Sequence, residues 1–279
     1  MNIQSLHNTS IIQLKNCFNA SFANYAVPLK LTGEQLQQKF KNDNVDLRFS
    51  SGVFENEELK GFVFKAIDIQ NGGKMCYNSG TGVLPEFRGQ GLTSKMYEFL
   101  LPKLKKEAVK SCILEVIDSN IPAIKTYEKI GFKKVRELIS FKGIPQIKLP
   151  GPEGIKVQES VFDLKGLEKL KDFEASWQNS GAAIERSKEN LSFLSLKKND
   201  EILGFAVFNP INGRISQFGI HQDHRRKGLG KFLFKKISQH LQGPVTIINV
   251  DSEHTASIDF LQNIQLDPFL TQYEMKMDL

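Results

Sequence analysis

The chain has 279 residues, of which 40% are hydrophobic and 24% charged, and a formal net charge of +6. That length allows two domains of ordinary size, and the composition is that of a soluble globular protein. There is no run of 18 apolar residues to span a bilayer, and the N-terminal MNIQSLHNTSIIQLKNCF lacks the basic start and long apolar core of a leader. The three cysteines, Cys17, Cys76 and Cys112, make neither a C-x-x-C pair nor a disulfide framework. The expectation is a cytoplasmic protein with no metal site and no membrane partner.

In chain order, ELKGFVFKAIDI (58–69) alternates as a strand. GVLPEFRGQGLTSKM (82–96) then ends an apolar run, turns on a proline, and sets Arg88, Gly89, Gln90 and Gly91 at the entrance to a helix, SKMYEFLLPKLKKE (94–107). SCILEVI (111–117) reads as a strand and NIPAIKTYEKIGF (120–132) as a further helix. A Pro- and Gly-rich connector follows, IPQIKLPGPEG (144–154). After it the order repeats: strand EILGFAVFNPI (201–211), turn GIHQDHRRKGLGKFL (219–233), helix KFLFKKISQHLQ (231–242), strand PVTIINV (244–250) and helix HTASIDFLQNIQL (254–266). With Val83 set against Ile220, Arg88 meets Arg225, Gly91 meets Gly228 and Leu92 meets Leu229; further on, Ile124 meets Ile258 and Phe132 meets Leu266. The period is far longer than that of a solenoid, so the chain reads as a duplicated domain. The expected division is 1–143, a linker at 144–154, and 155–279.

The positive net charge suits any polyanionic ligand. The densest lysine clusters, KLKKE (103–107) and LKKND (196–200), contain acids and read as solvated faces. No aromatic and basic interleaving marks a nucleic-acid platform, so nucleic acid is not an expected partner.

Amides at a helix start have no partner inside the helix, and the helix dipole favours an anion there. Glycines let the backbone come close, and arginine offers a fork for phosphate. Neither turn has the Gly-Lys-Ser/Thr of a P-loop or the spaced glycines of a dinucleotide fingerprint. The sequence RRKGLG at Arg225–Gly230 resembles the Arg/Gln-x-x-Gly-x-Gly/Ala turn that holds acyl-CoA in the GNAT N-acetyltransferase superfamily. RGQGLT at Arg88–Thr93 resembles it too, with Thr93 in the last place. The likeness covers most of both halves as a pattern and is specific at 81–132 and 218–235. It implies an α/β fold of two tandem GNAT-like domains, each a mixed, mostly antiparallel sheet with helices on both faces and splayed central strands. It implies acetyl-CoA as the acyl donor, held by Val83, Arg88, Gly89, Gln90, Gly91, Leu92 and Thr93. In the second copy the corresponding residues are Arg225, Arg226, Lys227, Gly228, Leu229 and Gly230.

Acetyl transfer to an amine must take a proton from the ammonium and give one to the departing thiolate. LEVIDSNIPAIKTYEKIGF (114–132) is similar to the GNAT enzymes that acetylate the N-terminal alanine of a ribosomal protein. Carried over, Glu115 is the base, Tyr127 the acid and Asn120 a residue of the cofactor side. The second half has Asn249 and Leu261 in the matching places, and neither can exchange a proton in this way. The first half therefore reads as catalytic and the second as cofactor-binding or structural, with a small-molecule or peptide amine as acceptor. Two alternatives stay open: an acyl-CoA sensor in which both halves have lost chemistry, and an enzyme that uses its C-terminal half. FANYAVPLKLTGEQL (22–36) resembles the family's first helix and the loop that walls the acceptor site, which makes Tyr25 a candidate for substrate contact. ASWQNSGAAIERS (175–187) lies at the matching place and reads as a buried Trp177 capped by Gln178, Asn179 and Ser180. His221 and His224 read as exposed loop residues before the second turn.

Overall fold

A computed structural model of the chain describes residues 1–279 except 24–28, 71, 149, 160–165 and 200. The chain folds into two compact units: unit 1, Met1–Val135 with Tyr273–Leu279, and unit 2, Arg136–Gln272. The first part of the sequence forms β1 (Asn2–Ser5), α1 (Ile11–Phe22), α2 (Gly33–Asp43), β2 (Ser51–Glu55), β3 (Glu58–Gln70), β4 (Gly73–Val83), α3 (Leu92–Lys106), β5 (Ser111–Ile117), α4 (Ile121–Ile130) and β6 (Lys133–Gly143). The remainder forms β7 (Lys156–Glu159), α5 (Gly181–Ser187), β8 (Ser192–Lys198), β9 (Glu201–Phe208), β10 (Arg214–Ile220), α6 (Leu229–Gln239), β11 (Val245–Asp251), α7 (Thr255–Asn263) and β12 (Asp267–Asp278). Among the described residues, no helix is long and apolar enough to cross a membrane.

In unit 1 the strand order is β1-β2-β3-β4-β5-β12. The first four strands pair antiparallel, while β4 and β5 are parallel. The β4–β5 register runs from Met75 opposite Ser111 to Tyr77 opposite Ile113 and stops there, although both strands continue. A bulge at Ser79, between Gly80 opposite Phe64 and Asn78 opposite Lys65, bends β4 at the same place. The central strands therefore part, as the family resemblance implies.

Strand alternation sends Cys112, Leu114 and Val116 of β5 into the core beneath α3 and α4, where they meet Met96, Leu100, Ile124 and Tyr127. The opposite face of the sheet carries α1 and α2 on Phe54, Phe62 and Phe64. Local caps start these helices, and the first of them, α1, ends at Phe22, where the sequence reading has it begin. Ser10 caps α1, and Thr32 with Gln35 forms a full capping box on α2. Gly131, with φ +117°, ends α4 in a conformation that a side chain would resist.

Unit 2 repeats the plan with strand order β7-β8-β9-β10-β11-β6. Its parallel pair, β10 and β11, is in register only at Arg214–Thr246 and Ile215–Ile247. Compactness does not follow the sequence repeat of 1–143 and 155–279. Residues 136–143 pack with unit 2, where Leu138–Gly143 pair with β11, and residues 273–279 pack with unit 1, where β12 lies beside β5. Each sheet has one open edge after its parallel strand, and the strand that satisfies the free N–H and C=O groups there comes from the other half of the sequence.

Candidate active site

The two turns have the same backbone. Gly89 and Arg226 occupy matching positions with φ +77° and +61°, and Gly91 and Gly228 begin their helices at +68° and +80°. The first intrahelical bonds are Lys95 N to Gly91 O at 3.2 Å and Phe232 N to Gly228 O at 2.9 Å, so the amides ahead of them have no partner within the helix. A Cβ added at Gly89, Gly91 or Gly228 would meet nothing within 4 Å. These glycines are required by conformation, and the space over them is open for an anionic group. Part of each arginine fork is engaged by the protein itself. Arg88 donates from Nε to Val83 O at 3.1 Å and from Nη2 to Ser21 O at 2.8 Å. Arg225 donates from Nε to Ile220 O at 3.2 Å and pairs with Asp172. In each copy the guanidinium clamps the turn to the end of the preceding strand. Lys227 likewise turns back on Asp223 O at 2.9 Å. Gln90 is exposed, Leu92 and Leu229 anchor their helices in the core, and Thr93 is half-buried on α3. The Asn120 side chain accepts from Ala123 N at 3.3 Å and so caps α4.

Consecutive residues of β4, at the point where it leaves β5, hold the two proton-transfer candidates on opposite faces. Tyr77 donates to Glu115 Oε2 at 2.5 Å. The Asn78 amide lies 3.4 Å from the Tyr127 hydroxyl. When its nitrogen faces the carbonyls of Gly80 (3.2 Å) and Phe64 (3.3 Å), its oxygen faces Tyr127 and Thr81. Glu115 Oε1 is buried and meets no donor among the described residues. Burial pushes the Glu115 carboxyl up to about 7; the Tyr77 bond opposes this, the Glu274 and Asp43 carboxylates add to it, and Lys39 opposes it. Asp43 on α2 is itself held by Lys39 at 2.5 Å and by the Ser79 hydroxyl at 2.6 Å. Tyr127 packs edge-on against Tyr97 and Phe132, with ring centroids 6.2 and 5.8 Å away. A carboxylate near neutrality beside a parted pair of strands, with a fixed phenol across the sheet, suits proton abstraction on one side of the parting and donation on the other. Tyr25 lies outside the described residues.

The model of the Acetyltransferase (GNAT) family matches residues 14–132 and again 159–264. The chain belongs to this family. A GCN5-related N-acetyltransferase from Sphaerobacter thermophilus superposes with a TM-score of 0.70 at 13% identity, over 99% of this chain and 95% of that one. A tandem GNAT protein from the clavulanic acid biosynthesis pathway superposes with a TM-score of 0.69 at 12% identity, over 99% of this chain and 98% of that one. These likenesses show the fold. In sequence, N-alpha-acetyltransferase 30 of Schizosaccharomyces pombe is 27% identical over 94 residues, 33% of this chain; the match spans 63% of that relative's length.

The second GNAT unit differs where chemistry would be needed. Asn249 replaces Glu115 and sits with φ +61° at an irregularity in β11. Leu261 replaces Tyr127 and is fully buried core. Gly230 completes the GNAT turn motif in sequence, but its missing side chain makes room for a neighbour: a Cβ there would meet the Phe260 ring at 3.0 Å. Phe260 forms a cluster with Phe234 and Phe218, at centroid distances of 5.2 and 6.3 Å. In unit 1 the same places hold Thr93 and Thr126, so a glycine–phenylalanine pair has been exchanged for two threonines. Trp177 is buried, with Ser180 capping α5 and Asn179 bonded to Ile248 O (2.9 Å) and Arg214 (3.0 Å). His221 caps a short 3-10 turn by accepting from Asp223 N at 3.3 Å, and His224 packs edge-on to it at 5.6 Å.

Sequence reasoning did not find Tyr77, Asn78, Asp43 or Glu274. The last had a signal: in EMKMDL the methionines alternate with Glu274 and Lys276, which marks a strand with one core face.

Proposed function

We propose that unit 1 is an acetyl-CoA-dependent N-acetyltransferase acting on a primary amine, and that unit 2 has kept the fold without the chemistry. The observation that carries this reading is the pairing of Glu115 and Tyr127 with consecutive residues of β4 where the sheet parts. The open space over Gly89 and Gly91 and the unpaired amides before α3 fit a pyrophosphate. Acetyl-CoA would supply the thioester. Glu115, near neutrality at about 7, takes the proton from the attacking nitrogen. Tyr127 gives its hydroxyl proton to the departing sulfur, and solvent returns both groups to their starting states. The clamps from Arg88 to Val83 and Ser21 keep the turn at the mouth of the parted strands.

Calorimetric titration with acetyl-CoA tests the assignment of the active half. Gly91→Asp puts a carboxylate where a phosphate would lie and should abolish binding, while Gly228→Asp should leave it within about twofold of wild type. Loss of binding in the Gly228 variant alone transfers the cofactor to unit 2 and overturns the reading.

A further inference from the structure

Unit 2 has a parting of its own, and a piece of its own chain lies in it. The pairing of β10 with β11 ends at Ile215 opposite Ile247. Beyond that point the space between the strands is lined by residues 216–218 of β10, 247–250 of β11 and 171–173 of the segment that precedes Trp177. That segment changes face there. Leu167 and Leu170 pack with Phe193, Phe205 and Val207 in one core of unit 2. Three residues on, Phe173 packs against the other core, beneath α6 and α7. The two cores lie on opposite faces of the sheet, since Phe205 and Val207 of β9 belong to one and Ala206 and Phe208 to the other. Three residues span at most about 10 Å, too little to go round the sheet by an outer strand. The crossing is therefore at the end where β10 and β11 part. The Leu170 carbonyl marks its start, lying so close over Gly219 of β10 that a side chain there has no room.

Asp172, at the crossing, ties the two arms of the parting together. On the β10 side it pairs with Arg225 of the turn. On the β11 side it accepts from the Ser257 hydroxyl at 3.4 Å and lies 3.9 Å from Nε2 of His254, both at the start of α7. Phe173 packs on the His254 ring, with centroids 5.7 Å apart. In unit 1 the matching arginine, Arg88, turns its Nη2 to the Ser21 carbonyl instead.

We propose that residues 171–173 are a strap that closes unit 2 to an acyl donor. The turn at Gly228 keeps its bare amides, but the path from it into the parting is filled by the chain itself. Freeing the strap opens a second acyl-CoA site. The proposal rests on the reading that the donor's pyrophosphate sits on the turn and its thioester arm runs into the parted strands. A closed strap lowers the apparent affinity in proportion to the fraction of molecules in which it is open.

The test is calorimetric titration of full-length protein with acetyl-CoA in a Gly91→Asp background, where the turn of unit 1 carries a carboxylate. Adding Asp172→Ala and Phe173→Ala should raise the affinity of this background by about a hundredfold, at one site, and a further Gly228→Asp should remove the gain. A urea melt followed by Trp177 fluorescence reads whether unit 2 stays folded. Asp172→Asn keeps size and packing and loses only the ion pair with Arg225; it should give a smaller gain, about tenfold, and decides the question where the double substitution does not fold. Folded strap variants that bind no better than Gly91→Asp overturn the proposal and leave the assignment of unit 1 standing. A gain that survives Gly228→Asp lies elsewhere and also overturns it. Gly91→Asp that binds as tightly as wild type overturns both, because unit 2 then takes the donor with its strap in place.

Discussion

Glu115 lies in an environment that opposes its charge, so replacing it should stabilise the fold at the pH where it would be ionised. Its carboxyl rises from the ordinary 4.5 to about 7 on folding. At about 1.4 kcal/mol per pH unit, the ionised form costs unit 1 roughly 3 kcal/mol relative to the unfolded chain. Because the folded value lies above the unfolded one, this stability is fully present below about pH 4.5 and is lost as pH rises through about 7. A glutamine in place of Glu115 cannot ionise and still accepts from Tyr77. Glu115→Gln should therefore match wild type near pH 4.5 and exceed it by about 3 kcal/mol at pH 8.5, while turnover falls. Trp177 lies in unit 2, so its fluorescence does not report this gain. Hydrogen exchange at the amides of β5, measured from about pH 5 to 8.5 and corrected for intrinsic rates, does. A stability difference that is flat with pH, or a variant weaker than wild type at the alkaline end, refutes the argument that a buried, charge-penalised carboxylate sits at this position.

Tyr77→Phe removes the hydrogen bond that lowers the Glu115 carboxyl, so the acid limb of kcat/KM should move to higher pH. Tyr127→Phe should lower kcat by about a hundredfold with little change in acetyl-CoA affinity; unchanged turnover means that Tyr127 is not the acid. Gly219→Ala should cost unit 2 about 3 kcal/mol, since the added Cβ would meet Leu170 O at 2.0 Å, and a urea melt followed by Trp177 fluorescence would read it.

The parts of this molecule that sequence makes legible are those decided by neighbours along the chain. Gly91 and Gly228 stand where a helix must begin from a left-handed residue, and that requirement is local, so both turns and the duplication can be read directly. Strand alternation in SCILEVI places Glu115 opposite the core face of β5 for the same reason. What sequence does not carry is which side chain a free group will meet. Arg88 and Arg225 have the chemistry of a phosphate fork, and the sequence does not show that strand ends within reach also engage part of each fork. Gly230 fits the motif better than Thr93, yet its bareness accommodates Phe260, a residue distant in the chain. The exchange of β6 and β12 is the extreme case. A strand carries the same alternation whichever sheet it joins, so EMKMDL announces one buried face and one polar face without saying whose core Met275 and Met277 will fill. They fill the core of unit 1, and Glu274 comes with them to the face that holds Glu115. The two compact units therefore do not map onto a single cut in the chain. Residues 1–143 alone would keep Glu115 and Tyr127 but lose both methionines from the core around Tyr127.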